Sequence, residues 1–338
     1  MLKTKTFLTE HITSKDIKAI AQLINQGGLC VMPTETVYGL AGNGLNKRSI
    51  EKIYEAKGRP SDNPLILHIS DVSMLKELVK MIPEGTEKLM DAFWPGALTL
   101  VFKKSSKVPK EATGGLETVA IRMPEHPVMQ AIISEAKVPL AAPSANISGK
   151  PSSTRFHHVY EDLNGKVDAM IDGGESTLGI ESTVLDISSF PWTILRPGMI
   201  TKTMIEKVMG YPILKSNPMS PSESPKSPGM KYRHYQPQGI LHVIIGQISS
   251  VVPYIHQAPS SSKAVICPKE WEHHFKDLKV RTMGSIHNLS SMASELYATF
   301  REMDDLEIED IYLLAHESMG DALLDRIKKA STHWIELS

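Results

Sequence analysis

KGRPSDNPLILH, residues 57–68, decides how the rest of the chain is read. It sets two cations within three residues on a loop that closes a short helical pattern, then enters an apolar strand ending in a histidine. Pro60 and Pro64 fix φ on either side of Asn63 and bias the residues before them away from helix, which predicts a stiff loop. Lys57 and Arg59 on such a loop suit a planar or tetrahedral oxyanion, phosphate foremost. A solvated basic turn would carry the same residues, so the flanking segments must decide.

Composition bounds the answer. The 338 residues leave room for two domains or one large one, and 41% hydrophobic with 22% charged residues is an ordinary globular balance. A formal net charge of -1 excludes a global basic field for non-specific nucleic-acid binding. Cys30 and Cys267 lie far apart in apolar runs and form no CxxC, against a disulfide framework or a cysteine zinc site. No apolar signal core or membrane-length run is present, so a reducing cytoplasm is the expected location.

In chain order, residues 14–26 read as an amphipathic helix with Ile17, Ile20, Leu23 and Ile24 on one face, Ser14 as N-cap and Gly27 beyond its end. The strand LCVMP runs into PTETVYGLAGNG (33–44), where Thr34, Glu35, Thr36 and Tyr38 precede Gly39, Gly42 and Gly44. This predicts a glycine-rich turn able to present backbone N–H groups to a ligand, although it is neither a Walker A loop nor GxGxxG. After a helix at 48–56 and the Lys57 loop, His68 closes PLILHI as either a hydrogen-bonded core residue or a ligand. Helical patterns at 72–81 and 84–92 lead to the strand of FWPGALTLVFK.

TVAIRMPEHP (118–127) reads as a strand carrying one arginine among apolar residues. An unpaired buried guanidinium costs several kcal/mol, so Arg122 must meet a carboxylate, of the protein or of a ligand. After a helix from 127 to 136, VPLAAPSANISGKPSST (138–154) puts Ser144 and Asn146 on a turn, followed by Ser148, Gly149, Ser152 and Ser153. A small hydroxyl-rich loop of this kind suits a phosphate, and it lacks the GxSxG of a serine nucleophile. VDAMIDGG and GIESTVLDI give two more strands, TILRPG places Arg196 at the end of another, and a helix spans 201–209. Short strands and helices without a clean βαβ repeat predict an α/β domain with a mixed, curved sheet.

From Tyr211 to Pro237 the chain turns Pro- and Ser-rich and reads as a linker, yet MKYRHY at its end suggests a segment that folds over a nucleotide base. Residues 238–338 alternate the strands ILHVIIG, KAVICP and DIYLLA with helices at 289–303 and 320–329, a small α/β domain with a parallel sheet and no phosphate motif.

Taken together, PTETVYGL, KGRPSDNPLILHI, FWPGALTL, VAIRMPEHP, APSANISGKPSST, GIESTVLDI, ILRPG and SPGMKYRHYQP resemble the YrdC/TsaC family of threonylcarbamoyl-adenylate synthases in its longer, two-domain form. The resemblance implies a YrdC-like twisted mixed sheet with a concave basic face (1–210), a linker crossing the active site (211–237) and a smaller Rossmann-like α/β domain (238–338). It implies that L-threonine, bicarbonate or CO2, and ATP give threonylcarbamoyl-AMP and pyrophosphate, for modification of adenosine 37 in ANN-decoding tRNAs by a separate transferase. Lys57, Arg59, Ser144 and Asn146 would then be catalytic. Arg59, Asn63, Thr118, Ser144, Ser152, Arg196 and Tyr235 would hold ATP. Thr36, His68, Arg122, Ala142 and Ser182 would hold threonine, with Thr118 able to serve either substrate. Mg²⁺ is expected through the ATP phosphates and water. Two rival readings are a non-catalytic RNA-binding module and a carbamoyl-transfer role. The near-neutral charge counts against the first and the threonine-side residues against the second.

Overall fold

The computed structural model describes residues 2–216 and 235–337, which build two sheets. The first has eleven strands in the order Lys5–Leu8, Ala169–Asp172, Cys30–Met32, Gly39–Asn43, Leu140–Ala141, Ile66–His68, Thr118–Arg122, Leu98–Lys103, Thr183–Asp186, Thr193–Arg196 and Leu214–Lys215. Ile66–His68 runs parallel to Thr118–Arg122, whereas Leu98–Lys103 runs antiparallel to it, so the sheet is mixed.

Strand alternation sorts side chains to its two faces. Leu67, Ile121, Leu100 and Leu185 enter the main core. Their alternates Ile66, Ala120, Val101 and Val184 join Leu195 in a small separate apolar strip on the opposite face. His68, Arg122 and Thr99, two residues further along those same strands, therefore emerge on the strip's face.

The helices start where the local chemistry dictates. Thr13, one residue before the expected Ser14, caps Ser14–Asn25 because it forms a reciprocal box with Asp16. Lys47–Lys57 is capped by Asn46 and stopped by Gly58 at φ 61, which leaves Lys57 in the last turn and Arg59 on the exit loop.

One expectation is corrected. Gly39 and Gly42 lie within the strand Gly39–Asn43, paired antiparallel with Cys30–Met32, and not in a turn. A Cβ on Gly42 would sit 2.9 Å from Leu29 Cδ2 and 3.2 Å from Ile53 Cδ1, and one on Gly44 would sit 2.7 Å from Leu67 Cδ2. At these two positions glycine allows close packing against the sheet, not approach to a ligand.

The second sheet has five strands, all parallel, in the order Lys279–Thr282, Lys263–Cys267, Asp310–Ala315, Ile240–Ile245 and His333–Glu336. Ile248–Gln257 packs on one face, and Leu289–Asp305 with Gly320–Ala330 on the other. The latter face meets the first domain, where Val37 and Ile180 share a buried cluster with Leu296, Phe300 and Ile327.

The linker begins later than its composition suggests. Ile213 is buried and Leu214–Lys215 pairs parallel with Thr193–Arg196, so residues 211–216 still belong to the first sheet. Most of MKYRHY falls in 217–234, outside the described residues; the described chain resumes at Tyr235. Among the described residues no helix is long and apolar enough to cross a membrane.

Candidate active site

A narrow cleft opens on the strip's face of the large sheet. Of the fourteen residues expected at a site, nine line it: Thr36, Arg59, His68, Arg122, Ala142, Ser144, Ser182, Arg196 and Tyr235. They come from separate strand ends and loops, which the sheet order brings to one place. Three guanidinium groups, from Arg59, Arg122 and Arg196, face a space with a neutral histidine and several hydroxyls.

Each arginine is fixed by the chain. Arg122 Nε donates to Gly96 O at 3.0 Å and Nη1 donates to Thr36 Oγ1 at 2.8 Å, while Nη2 makes an ion pair with the Glu35 carboxylate. The protein carboxylate thus answers the question of the buried arginine's anion, and Glu35 is a residue that sequence reasoning missed. Its signal was present in the TET triplet, a carboxylate beside the polar strand mouth. Arg196 Nε and Nη2 donate to Ser182 O at 3.1 and 2.9 Å, and Ser182 Oγ shares a 2.7 Å hydrogen bond with Thr99 Oγ1. Arg59 Nη2 donates to Pro64 O at 3.1 Å, which folds the side chain back over the proline-bounded loop.

His68 is 3% exposed and its Nδ1 has no hydrogen-bond partner. Burial, with Arg122 beside it, pushes its pKa down to about 3, so the imidazole is neutral at physiological pH. The side-chain Oδ1 atoms of Asn63 and Asn146 also lack partners. Of these three residues only His68 lines the cleft, and an orphaned polar atom there is what a polar ligand would satisfy.

Five expected residues do not line the cleft. The Lys57 ammonium is buried and donates to the carbonyl oxygens of Ser144 and Asn146, and burial, then Arg59, holds its pKa well below the ordinary lysine value. In this arrangement it braces the 144–146 turn. Asn146 Nδ2 closes the same turn on Ile147 O and Lys150 O. Asn63 is buried, and its carbonyl accepts from the Tyr54 hydroxyl at 3.1 Å. Ser152 is buried with its hydroxyl donating to Glu181 Oε1 at 2.6 Å. Thr118 stands at the far end of the Arg122 strand, on the same face.

Glu181 is the second missed residue. It lines the cleft and is paired from the other domain, with Arg326 Nε at 2.7 Å and the Tyr297 hydroxyl at 3.0 Å from Oε2. Burial pushes this carboxyl up, but Arg326, Arg196 and the Ser152 hydroxyl outweigh it and bring it to about 2. Tyr235 is buried, holds φ 68, stacks on Tyr297 with ring centroids 5.1 Å apart, and has its hydroxyl pushed up to about 12 by burial. No sequence pattern links Glu181 to Arg326, 145 residues away.

A cation has no ready cage here. Glu35 and Glu181 are each tied to an arginine, and among the described residues no group of three or more His, Cys, Asp or Glu is placed to hold a metal.

The fold and cleft define a class: two-sheet α/β proteins with an arginine-lined pocket on one face of the larger sheet. Comparison with known proteins narrows it. The Sua5–YciO–YrdC family, described as telomere recombination, matches residues 22–198, and the C-terminal domain of threonylcarbamoyl-AMP synthase matches residues 200–332. A threonylcarbamoyl-AMP synthase of Pyrococcus abyssi is 41% identical over 96% of this chain and 97% of its own. One of Bacillus subtilis is 40% identical over 98% of each. The crystal structure of P. abyssi Sua5 complexed with L-threonine matches with a TM-score of 0.89 at 39% identity, covering 99% of each chain. The chain belongs to the Sua5–YciO–YrdC family.

Proposed function

We infer that this chain is a threonylcarbamoyl-AMP synthase. The observation that carries the reading is one cleft holding Thr36, His68 and Arg122 beside Arg59 and Arg196, on a chain about 40% identical to named synthases throughout its length. Threonine adds through its amine to bicarbonate or CO2, giving an N-carboxylate, with water released when bicarbonate is the donor. A carbamate oxygen then attacks the α-phosphorus of ATP, and pyrophosphate leaves.

This chemistry needs no side-chain nucleophile. The protein contributes positioning and charge stabilisation. Arg122, held flat by Gly96, Thr36 and Glu35, meets the threonine carboxylate, while neutral His68, Ala142 and Ser182 shape the same wall. Arg59 and Arg196 offset charge on the phosphates, with Ser144 at the lip. Lys57 acts at one remove, through the turn it holds. Mg²⁺ brought with ATP would offset charge on the phosphates, and the cleft carboxylates Glu35 and Glu181, already paired with arginines, would not be needed to hold it.

The adenylate is a labile mixed anhydride, so a separate transferase must take it up and pass the threonylcarbamoyl group to tRNA. Two buried free thiols, Cys30 and Cys267, fit a reducing cytoplasm.

The test is pyrophosphate release from ATP with threonine and bicarbonate each omitted in turn. Release that needs both, with threonylcarbamoyl-AMP seen by mass spectrometry, is the expected result. Release needing neither, or none under any condition, overturns the reading.

A further inference from the structure

The segment 144–153 contributes Ser144 to the cleft, and its other polar groups are tied back from three directions. Lys57 holds the carbonyls of Ser144 and Asn146 from the first domain. Two arginines of the second domain hold residues 151–153. Arg301, on the helix Leu289–Asp305 and 5% exposed, donates through Nη2 to Pro151 O at 2.8 Å, to Ser153 Oγ at 3.2 Å and to Asp162 Oδ2 at 2.7 Å. Arg326, on Gly320–Ala330 and fully buried, grips Glu181, whose other oxygen accepts the Ser152 hydroxyl. Ser153 in turn donates to Ala145 O at 2.9 Å and accepts from Tyr38 N at 2.9 Å, so the second domain's hold reaches the turn beside Ser144.

Neither arginine is a surface ion pair. Each is desolvated and matched to one first-domain carboxylate, Asp162 or Glu181; Arg301 spends the rest of its fork on neutral acceptors, and Arg326 also pairs with Asp325 beside it on its own helix. Buried pairs of this kind contribute little net stability but penalise every arrangement that separates them. They therefore specify one placement of residues 151–153 and, through it, of the turn that bears Ser144 and Asn146.

We propose that Arg301 and Arg326 are positioning residues for the nucleotide side of the active site, so that the second domain sets affinity for ATP more than for threonine. This rests on the synthase reading, in which Ser144 faces the phosphates. It assigns the second domain a role that no motif in its own sequence indicates.

The test is calorimetric titration of the full chain with MgATP and, separately, with L-threonine. It is run for wild type, R301M, R326M, R301K and R326K, with circular dichroism to confirm folding. The lysine variants keep a cation opposite each carboxylate while losing the planar fork, so they remain informative if a methionine variant does not fold. The expected result is a dissociation constant for MgATP raised about tenfold or more, threonine within about twofold, and partial recovery with lysine. Equal weakening of both ligands, or no change in either, overturns the proposal. Both readouts are equilibrium binding, so a wild type that binds ATP and threonine but releases no pyrophosphate would refute the synthase reading and leave this comparison intact.

Discussion

Arg122 and Glu35 form a buried ion pair on the wall of the cleft, and the same guanidinium donates to Thr36 at 2.8 Å. In the function proposed above, the substrate carboxylate would share this one cation with the protein carboxylate. The Arg122→Ala variant should raise KM for threonine by about two orders of magnitude while KM for ATP moves less than about threefold. Arg122→Lys should recover little, because a point charge cannot serve Gly96, Thr36 and Glu35 together. Initial rates of pyrophosphate release against each substrate check this, and equal losses for both would point to misfolding.

His68 ties acid stability to the site. Its pKa lies at about 3 in the folded chain against an ordinary value near 6.5, and burial places His158 at about 3 as well. Below pH 6.5 the unfolded chain takes up protons that the folded chain does not, so stability is full above that value and falls as pH drops toward 3. Each group should contribute about 1.4 kcal/mol per pH unit inside that window. Urea unfolding of His68→Gln between pH 6.5 and 5 should show a shallower decline than wild type; parallel curves would count against a neutral buried His68.

Tyr235 rests on Tyr297 as a stacked pair, with the Arg326 guanidinium 5.7 Å from its ring. Tyr235→Phe keeps the ring and should leave KM for ATP within about twofold, whereas Tyr235→Ala should raise it by about tenfold, a stacking contribution near 1 kcal/mol or a little more. Matching effects of the two variants would mean that the hydroxyl, not the ring, matters.

Removing divalent metal separates folding from catalysis. If Mg²⁺ arrives on ATP, EDTA should abolish pyrophosphate release yet leave the melting temperature of the nucleotide-free protein unchanged to within about 1 °C. A large loss of Tm on chelation would reveal a resident ion.

Much of this architecture is legible along the chain because it is local. Apolar runs, proline and glycine boundaries and a lone arginine in TVAIR report directly on strands and on an electrostatic need. What is not legible is which partner meets that need. Nothing near Lys57 says that its ammonium turns inward to two carbonyls more than eighty residues on, and the glycines of GLAGNG are ambiguous between a turn and a tightly packed strand until Leu29, Ile53 and Leu67 are in place. Glu181 is harder still, since its counter-charge lies in the other domain. Short-range pattern fixes elements, and long-range contacts assign roles.

The cluster in which Val37 and Ile180 pack with Leu296, Phe300 and Ile327 belongs to both domains at once. Neither half can melt without exposing apolar surface of the other. The whole chain should then unfold as one cooperative unit, giving a single calorimetric transition whose van't Hoff and calorimetric enthalpies agree.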